Sequence, residues 1–222
     1  MVNIQQVLQQ VQRQKLSFDR PVAGVDEVGR GCLFGPVVAA AVILPDSGWE
    51  MLQNAGVTDS KKLSANQRES LVQLIIKVAI DCKIGVASVA EIDRLNILQA
   101  SLLAMRRSLL KLYPQPELCL VDGNQRIPGL SLPQETIVQG DSQCLPIAAA
   151  SILAKVWRDQ LIIRLADRYT EYDLINNKGY GTKAHKKALA LYGASPQHRL
   201  SFSPCQPNLS APNQLSLFDI TR

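Results

Sequence analysis

Histidine is scarce in this chain of 222 residues, which contains only His185 and His198. A zinc site with cysteine and histidine spacing needs several such ligands, and a serine or cysteine nucleophile is usually activated by a histidine base. Two histidines provide few residues for either kind of site. Any catalysis is therefore expected to depend on carboxylates and a bound metal.

Other absences bear on the cellular compartment. The five cysteines are an odd, widely spaced set without any CxxC pair, which is typical of reduced structural thiols. No uninterrupted apolar stretch approaches the roughly 18 to 20 residues that span a bilayer. The glutamine-rich start over residues 3–14 shows no signal-peptide pattern. We expect a cytoplasmic protein without a membrane partner.

Acidic residues are missing from residues 174–218, although this segment carries five bases. The formal net charge is +5, so the whole excess of positive charge lies there. Two interpretations remain open, a face that binds a polyanion and a solvated helix surface with chance clustering. The bases are Lys178, Lys183, Lys186, Lys187 and Arg199.

Two adjacent acids, Asp26 and Glu27, lie between an apolar run and the sequence Gly29-Arg30-Gly31. Carboxylates in such surroundings have to be paired, protonated or bound to a metal, because burying an isolated charge is prohibitive. The glycines let the backbone approach a ligand, with bare amides and a guanidinium available to phosphate or sugar hydroxyls. The alternative is that the acids cap a surface turn. Since neighbours on a strand point to opposite faces, both acids can serve one site only near a strand end or bulge.

The composition, 46% hydrophobic and 19% charged, is that of a globular protein with one main domain. Two strands around a glycine turn are followed by strands alternating with helices, which predicts an α/β fold with a mixed sheet flanked by helices. Asp26, Asp122 and Asp141 are each expected at or just past a strand end. Helices are predicted over residues 65–79, 91–112, 145–169 and 182–191, with Ser64 as the N-cap of the first.

Acids recurring at strand ends, together with a basic segment and scarce histidine, fit two-metal phosphodiester hydrolysis better than a histidine-based scheme. In these features the chain resembles the bacterial ribonuclease HII family. The motifs of the resemblance occur in order over about residues 22–202: residues 24–31, 59–63, 121–124, 140–142, 147–155 with Arg158 and Asp159, and 177–182 with His185.

The resemblance implies a ribonuclease H-like fold with a small C-terminal helical region, in which Asp26, Glu27, Asp122 and Asp141 hold two divalent ions, Mg2+ or Mn2+. It implies that the backbone of Gly29, Arg30 and Gly31 and the side chain of Tyr180 read the 2'-hydroxyl that separates RNA from DNA. Lys61, Lys62, Lys178 and Lys183 would hold the phosphates. The substrates would be RNA-DNA hybrids and DNA duplexes with embedded ribonucleotides, cut to 3'-hydroxyl and 5'-phosphate ends.

Taken singly, several of these residues have plainer explanations. Tyr180 could be a core aromatic, Asp141 could cap the following helix, and Asp122 with its following glycine could form only a turn. Asp159, four residues after Lys155 on a helix, is expected to be an ion-pair partner outside the site.

The expected organisation is an N-terminal helical extension over residues 1–20, a catalytic domain over 21–202 and a flexible tail over 203–222. The catalytic domain includes a substrate-binding helical part from about residue 170. Gln214, Leu215, Leu217 and Phe218 in the tail resemble the linear motif with which bacterial repair proteins bind the sliding clamp. A segment folding back on the core is the competing interpretation.

Two other functions are considered. A ribonuclease HIII-like enzyme would carry an extra N-terminal domain, for which about twenty leading residues leave no room. A non-catalytic hybrid-binding protein or clamp adaptor would need bases but not four acids.

Overall fold

A computed structural model describes residues 21–206, whose centre is a five-stranded mixed sheet with the order β3-β2-β1-β4-β5. The central pair β1–β2 and its neighbour β2–β3 are antiparallel, whereas β1–β4 and β4–β5 are parallel. The predicted mixed sheet is confirmed. The strands are β1 (Val22–Val28), β2 (Val37–Ile43), β3 (Asp81–Ala87), β4 (Leu118–Asp122) and β5 (Gln134–Ile137).

Helices flank this sheet, and their bounds are α1 (Asp46–Asn54), α2 (Ala65–Val78), α3 (Val89–Leu95), α4 (Ile97–Leu109), α5 (Leu145–Ala166), α6 (Leu174–Asn177) and α7 (Lys183–Tyr192). Single 3-10 turns occupy Ser60–Lys62, Gly140–Ser142, Thr170–Tyr172 and Ser203–Cys205. The helices between residues 21 and 206 are all too short or too polar to span a bilayer.

Both faces of the sheet are covered, which explains why every residue of β2 is buried. Ala39 and Ala41 face the core cluster that contains α4, and Ala40 and Val42 face the cluster that contains α2 and the first half of α5. This alternation follows from the two-residue period of a strand. Helices α4 and α5 therefore lie on opposite faces.

Helix α5 approaches β1 unusually closely. A Cβ atom added to Gly24 would lie 2.2 Å from the backbone carbon of Pro146, so only glycine permits this distance. Pro146 lies in the first turn of α5, where its missing N–H costs nothing. The contact fixes α5 against the strand that carries Asp26.

The prediction of a single helix over residues 91–112 is wrong, because Asn96 separates α3 from α4. Asn96 adopts a left-handed φ of 71°, and its side chain accepts a hydrogen bond from the backbone N–H of Gln99 at 3.0 Å. Asparagine tolerates this conformation and caps the new helix. The N-cap predicted at Ser64 is confirmed as a reciprocal capping box with Gln67.

The packed chain continues past residue 202, where the tail was expected to begin. Ser203–Cys205 forms a 3-10 turn, and Cys205 is buried beside Leu33 and Leu189. The predicted N-terminal extension and the tail residues Gln214, Leu215, Leu217 and Phe218 lie outside the described residues.

The Gly24 contact generates a stability prediction. We expect Gly24→Ala to lower the free energy of unfolding by about 2 kcal/mol or more, because the methyl group meets backbone that cannot move aside. Gly31→Ala is the matched control, since no atom lies within 4 Å of a Cβ at Gly31. Urea unfolding measures both variants. Equal stabilities for the two would contradict the close packing of α5 on β1.

Candidate active site

A cleft of about 290 Å³ opens where β1 ends. It brings together the acids of β1 and β4, the glycine-flanked arginine, a 3-10 turn, one face of α5 and Tyr180. Its lining residues are Asp26, Glu27, Val28, Gly29, Arg30, Gly31, Ser60, Lys61, Asp122, Ser151, Lys155 and Tyr180. Residues far apart in the sequence thus converge on one site.

Asp26 lies inside β1, two residues before the strand ends, and not at or past its end as expected. The parallel pairing of Val25 with Val121 places Asp26 beside Asp122 of the neighbouring strand. Asp26 is only 5% exposed, and burial raises its pKa well above the usual range, with further increases from the charges of Glu27 and Asp122. An uncompensated buried carboxylate of this kind needs a proton or a cation.

Glu27 lies next to the last residue of β1, and its carboxylate accepts a hydrogen bond from Arg30 Nη1 at 3.1 Å. Burial raises its pKa, and the Arg30 guanidinium opposes that rise. Both neighbouring acids line the same cleft, because β1 ends at Val28, one residue after Glu27, and the glycine turn follows. This position near a strand end is the arrangement that the sequence required.

The other two predicted acids are linked through a turn. Asp122, the last residue of β4, accepts a hydrogen bond from the Gly140 N–H at 2.7 Å and so fixes the turn that carries Asp141. Asp141 is buried and does not line the cleft itself, but its Oδ2 accepts from Lys61 Nζ at 2.9 Å. That hydrogen bond raises the pKa of Lys61.

The chemistry of these donors fits hard divalent cations, which prefer carboxylate oxygens. Asp26 is buried and has no cationic side chain at ion-pair distance among residues 21–206. In this same range no three acidic, histidine or cysteine side chains already converge as a ligand group. Arg30 and Lys61 hold two of the four carboxylates, so these salt bridges have to exchange before an ion is bound.

Only Arg30 and Gly31 are exposed in the segment between β1 and β2, which is otherwise buried. Gly29 has a φ of 93°, and a Cβ there would lie 2.2 Å from Arg158 Nε, so glycine is required on two grounds. Arg30 and Gly31 are exposed, and Cys32 forms an isolated β-bridge with Tyr180. The glycine turn and the tyrosine are thereby neighbours.

Tyr180 is not a core aromatic, since it is 39% exposed and lines the cleft. The ammonium of Lys155 lies 5.5 Å from the centre of its ring. Burial is the main cause that raises the pKa of Tyr180 to about 12, so the phenol keeps its proton at neutral pH. Lys155 is also bound by Asp159 at 2.8 Å, as predicted for that pair.

The predicted phosphate-binding lysines divide into two groups. Lys61 lies in the cleft, whereas Lys62, Lys178 and Lys183 are outside its described lining. Lys62 and Lys183 are exposed, and the Lys178 ammonium donates to the backbone carbonyl of Ile175. Lys61 alone is thus brought next to the acids.

The basic segment is not a uniform surface, because one of its five bases is completely buried. Arg199 is 0% exposed and donates hydrogen bonds to backbone carbonyls. Lys183, Lys186 and Lys187 lie exposed on α7. The segment therefore combines a structural cation with a short exposed row.

Sequence reasoning assigned no role in the site to Ser151, Lys155 or Arg158, although all three lie in motifs of the resemblance. They are spaced by four and three residues along α5. Residues at this spacing share one helix face. The same helical spacing is visible in the sequence and could have identified them. Ser151 Oγ lies 2.9 Å from Ser60 Oγ, joining α5 to the 3-10 turn next to Lys61.

The two histidines also form a feature that composition gave no reason to expect. The backbone N–H of Ser195 donates to His198 Nδ1 at 2.9 Å, and the Nε2 atoms of His198 and His185 are 3.0 Å apart. His185 Nδ1 lies 2.9 Å from the carbonyl oxygen of Tyr180. Because that carbonyl only accepts, His185 carries its proton on Nδ1 and His198 on Nε2. The chain of hydrogen bonds is complete only when both rings are neutral.

The chain is similar in sequence to known proteins of one family. A sequence model of the family Ribonuclease HII matches residues 23–205. A Ribonuclease HII of Trichodesmium erythraeum is 67% identical over 187 residues, which cover 84% of this chain and 89% of that protein. A Ribonuclease HII of Acaryochloris marina is 64% identical over 188 residues, which cover 85% of this chain and 95% of that protein.

Solved structures agree with the fold. The ribonuclease H2 of Pyrococcus horikoshii has a TM-score of 0.71 at 29% identity, covering 83% of this chain and 95% of its own. The RNase HII of Archaeoglobus fulgidus, solved in a complex with PCNA, has a TM-score of 0.68 at 29% identity, covering 81% and 92%. Bst-RNase HIII has a TM-score of 0.69 at 17% identity, covering 87% and 70%, and shares the fold alone.

The histidine pair predicts how stability depends on pH. Burial lowers the pKa of both rings, that of His198 to about 4. As the pH falls below about 6.5, the unfolded chain takes up protons that the folded pair excludes. We expect the free energy of unfolding to fall between pH 7.5 and 5.5, as measured by urea denaturation. The decline should be smaller in His198→Gln, and an NMR titration of His198 near pH 6.5 would refute the neutral pair.

Proposed function

This chain belongs to the ribonuclease HII family and is an endoribonuclease of RNA-DNA hybrids, and we propose that Asp26, Glu27, Asp122 and Asp141 are its catalytic residues. We propose further that it nicks DNA on the 5' side of embedded ribonucleotides and leaves 3'-hydroxyl and 5'-phosphate ends. The single observation that supports the site best is the placement of Asp26 beside Asp122, in a cleft that also holds the glycine turn and Tyr180.

Each acid has a part in the proposed chemistry. Asp26 and Asp122, adjacent on parallel strands, would hold the divalent ions together with Glu27 and Asp141. Two bound Mg2+ or Mn2+ ions would lower the pKa of the attacking water and stabilise the leaving oxygen. Arg30 and Lys61 would release the carboxylates and remain near the phosphate as cations. Their side chains are 51% and 80% exposed, so they are free to move.

Substrate choice is assigned to the glycine turn and Tyr180. The backbone amides of Gly29, Arg30 and Gly31 and the tyrosine ring would contact the 2'-hydroxyl, which separates RNA from DNA. The hydroxyl would be recognised and not used as a nucleophile. The histidine pair supports this division, because its hydrogen bonds are all made within the protein and none faces the cleft.

Phosphate contacts would come from the lysines around the cleft. Lys61 would bind near the scissile phosphate, and Lys62, Lys178 and Lys183 would contact the duplex further away. Such contacts carry little sequence information, so binding should weaken steeply with salt and depend little on sequence.

The alternatives fare less well. A non-catalytic hybrid-binding or adaptor protein does not need a carboxylate whose burial raises its pKa, because such a group destabilises the fold unless it binds a proton or a cation. A ribonuclease HIII-like enzyme is disfavoured by sequence identity. The chain is 17% identical to Bst-RNase HIII and 67% identical to the Ribonuclease HII of Trichodesmium erythraeum.

The tail is proposed to bind the bacterial sliding clamp through Gln214, Leu215, Leu217 and Phe218. One support is the sequence of residues 214–218, which resembles the clamp-binding motif. The other is a relative, the RNase HII of Archaeoglobus fulgidus, whose structure was solved in a complex with PCNA. A location in the cytoplasm stays a prediction from the sequence.

Loss of one acid tests the site. In Asp26→Asn we expect cleavage of a DNA duplex with one ribonucleotide to fall by on the order of 1,000-fold in Mg2+ or Mn2+, because transition-state stabilisation of several kcal/mol is lost. Initial rates on a labelled duplex measure this effect.

Asp46→Asn is the matched control, since Asp46 is exposed at the start of α1 and far in sequence from every acid of the cleft. It should cleave at the rate of the unaltered protein. Equal cleavage by Asp26→Asn and Asp46→Asn would eliminate the proposed site. Tight hybrid binding without cleavage by the unaltered protein would favour the adaptor.

Removal of the tail motif tests the partner. Deletion of residues 214–222 should abolish capture by an immobilised bacterial clamp, because the apolar contacts of the motif are lost, while the cleavage rate on a short duplex stays within about twofold. Leu217→Ala with Phe218→Ala should reproduce the loss in the full-length chain. Undiminished capture of the shortened protein would reject clamp binding through the tail.

A further inference from the structure

Two arginine side chains lie completely buried behind the cleft. Arg158 on α5 and Arg199, which follows α7, are both 0% exposed. Within residues 21–206, neither guanidinium has a carboxylate at ion-pair distance. A buried cation without a counter-ion costs several kcal/mol unless its hydrogen bonds are satisfied in another way. The fold supplies backbone carbonyls to all three nitrogens of Arg158 and to two of the three nitrogens of Arg199, whose Nη2 has no hydrogen-bond partner among residues 21–206.

Backbone carbonyl oxygens take the place of a counter-ion around Arg158. Its Nη2 donates to Phe34 at 2.8 Å, its Nε donates to Pro36 at 3.1 Å, and its Nη1 donates to Lys178 at 2.9 Å. The first two carbonyls belong to residues 29–36, which we call the recognition loop. The third belongs to residues 178–180, which we call the tyrosine segment. One planar group thus joins two pieces of chain that are far apart in the sequence.

Arg199 holds the recognition loop at two further points. Its Nε donates to the carbonyl of Gly35 at 3.0 Å, and its Nη1 donates to the carbonyl of Arg30 at 2.8 Å. The second contact lies in the middle of the Gly29-Arg30-Gly31 turn. The two arginines together fix both ends of the loop and its proposed substrate-binding backbone.

Glycines make room for this arrangement on both sides. A Cβ at Gly29 would lie 2.2 Å from Arg158 Nε, and a Cβ at Gly179 would lie 2.7 Å from the carbonyl oxygen of Phe34. The N–H of Leu33 also donates to the carbonyl of Gly179 at 2.8 Å. The recognition loop and the tyrosine segment are consequently in direct backbone contact, with Arg158 beside the contact.

We propose that Arg158 and Arg199 are positioning residues, which set the distance between the recognition-loop amides and the Tyr180 ring and thereby the preference for a ribonucleotide. The proposal rests on the proposed function, in which these two elements contact one 2'-hydroxyl. Two groups that bind the same atom have to be held within a fraction of an ångström. Lysine keeps the charge at either position but has no planar fork, so it cannot bind the same set of carbonyls.

The test compares binding to two duplexes of identical sequence, one all DNA and one with a single ribonucleotide. Dissociation constants are measured by fluorescence anisotropy in EDTA, so that no strand is cut. We expect the unaltered protein to prefer the ribonucleotide duplex about tenfold, the value of a hydrogen-bonded hydroxyl. Arg158→Lys and Arg199→Lys should each reduce the preference to less than about twofold, with the affinity for plain DNA changed less than about twofold because the charge remains.

Arg107→Lys is the matched control. Arg107 lies on α4, on the opposite face of the sheet, and uses the same fork to bind the Val86 carbonyl at 2.7 Å and both carboxylate oxygens of Glu91. It should lose thermal stability but keep the full preference for the ribonucleotide. This result would separate positioning from a general loss of stability.

The outcomes distinguish this proposal from the one on which it rests. If the unaltered protein shows no preference, the proposed binding of the 2'-hydroxyl by the recognition loop and Tyr180 is wrong, whatever the variants do. Folded lysine variants that keep the tenfold preference would overturn positioning alone, and so would equal losses of affinity for both duplexes. If circular dichroism shows one variant unfolded, the other decides; if both are unfolded at low temperature, the arginines support the whole fold and the proposal fails.

Discussion

Two carboxylates on adjacent parallel strands are the constraint that the rest of the cleft has to accommodate. The pairing of Val25 with Val121 brings Asp26 next to Asp122, and both the burial of Asp26 and this neighbouring charge oppose its ionisation. Like charges in such a place are tolerated only when a proton or a cation joins them. The fold keeps this costly pair, and the surrounding cations are arranged about it.

Helix α5 can serve the cleft because it lies so close to β1. The contact of Gly24 with the backbone of Pro146 fixes the start of the helix, and helical spacing then directs Ser151, Lys155 and Arg158 toward the same side. One helix thus supplies a hydroxyl near Asp26, an ammonium over Tyr180 and a guanidinium behind the glycine turn. A single close packing contact positions three kinds of polar group.

Local chemistry allowed much of the fold to be predicted from the sequence. The helix start at Ser64 and the order of strands and helices depend on neighbouring residues alone, and even the break at Asn96 follows local rules that were overlooked. The register between β1 and β4 does not, because nothing near Asp26 indicates which residue of a distant strand it will meet. The sequence nominates the acids as candidates, whereas the adjacency of Asp26 and Asp122 depends on this register.

The two buried arginines show why other parts of the site could not be predicted from the sequence. Arg199 belongs to the basic segment, for which a polyanion-binding face and a solvated helix surface were the two interpretations. It instead binds carbonyl oxygens, which every residue carries and which therefore leave no pattern in the sequence. The cleft consequently has two unlike halves. Exposed Arg30 and Lys61 hold carboxylates through salt bridges that exchange readily in water, whereas buried Arg158 and Arg199 hold backbone that has no other partner to bind. The proposed function needs both properties, because the proposed metal ligands would have to become available during catalysis while the surface proposed to bind a single hydroxyl would have to stay fixed.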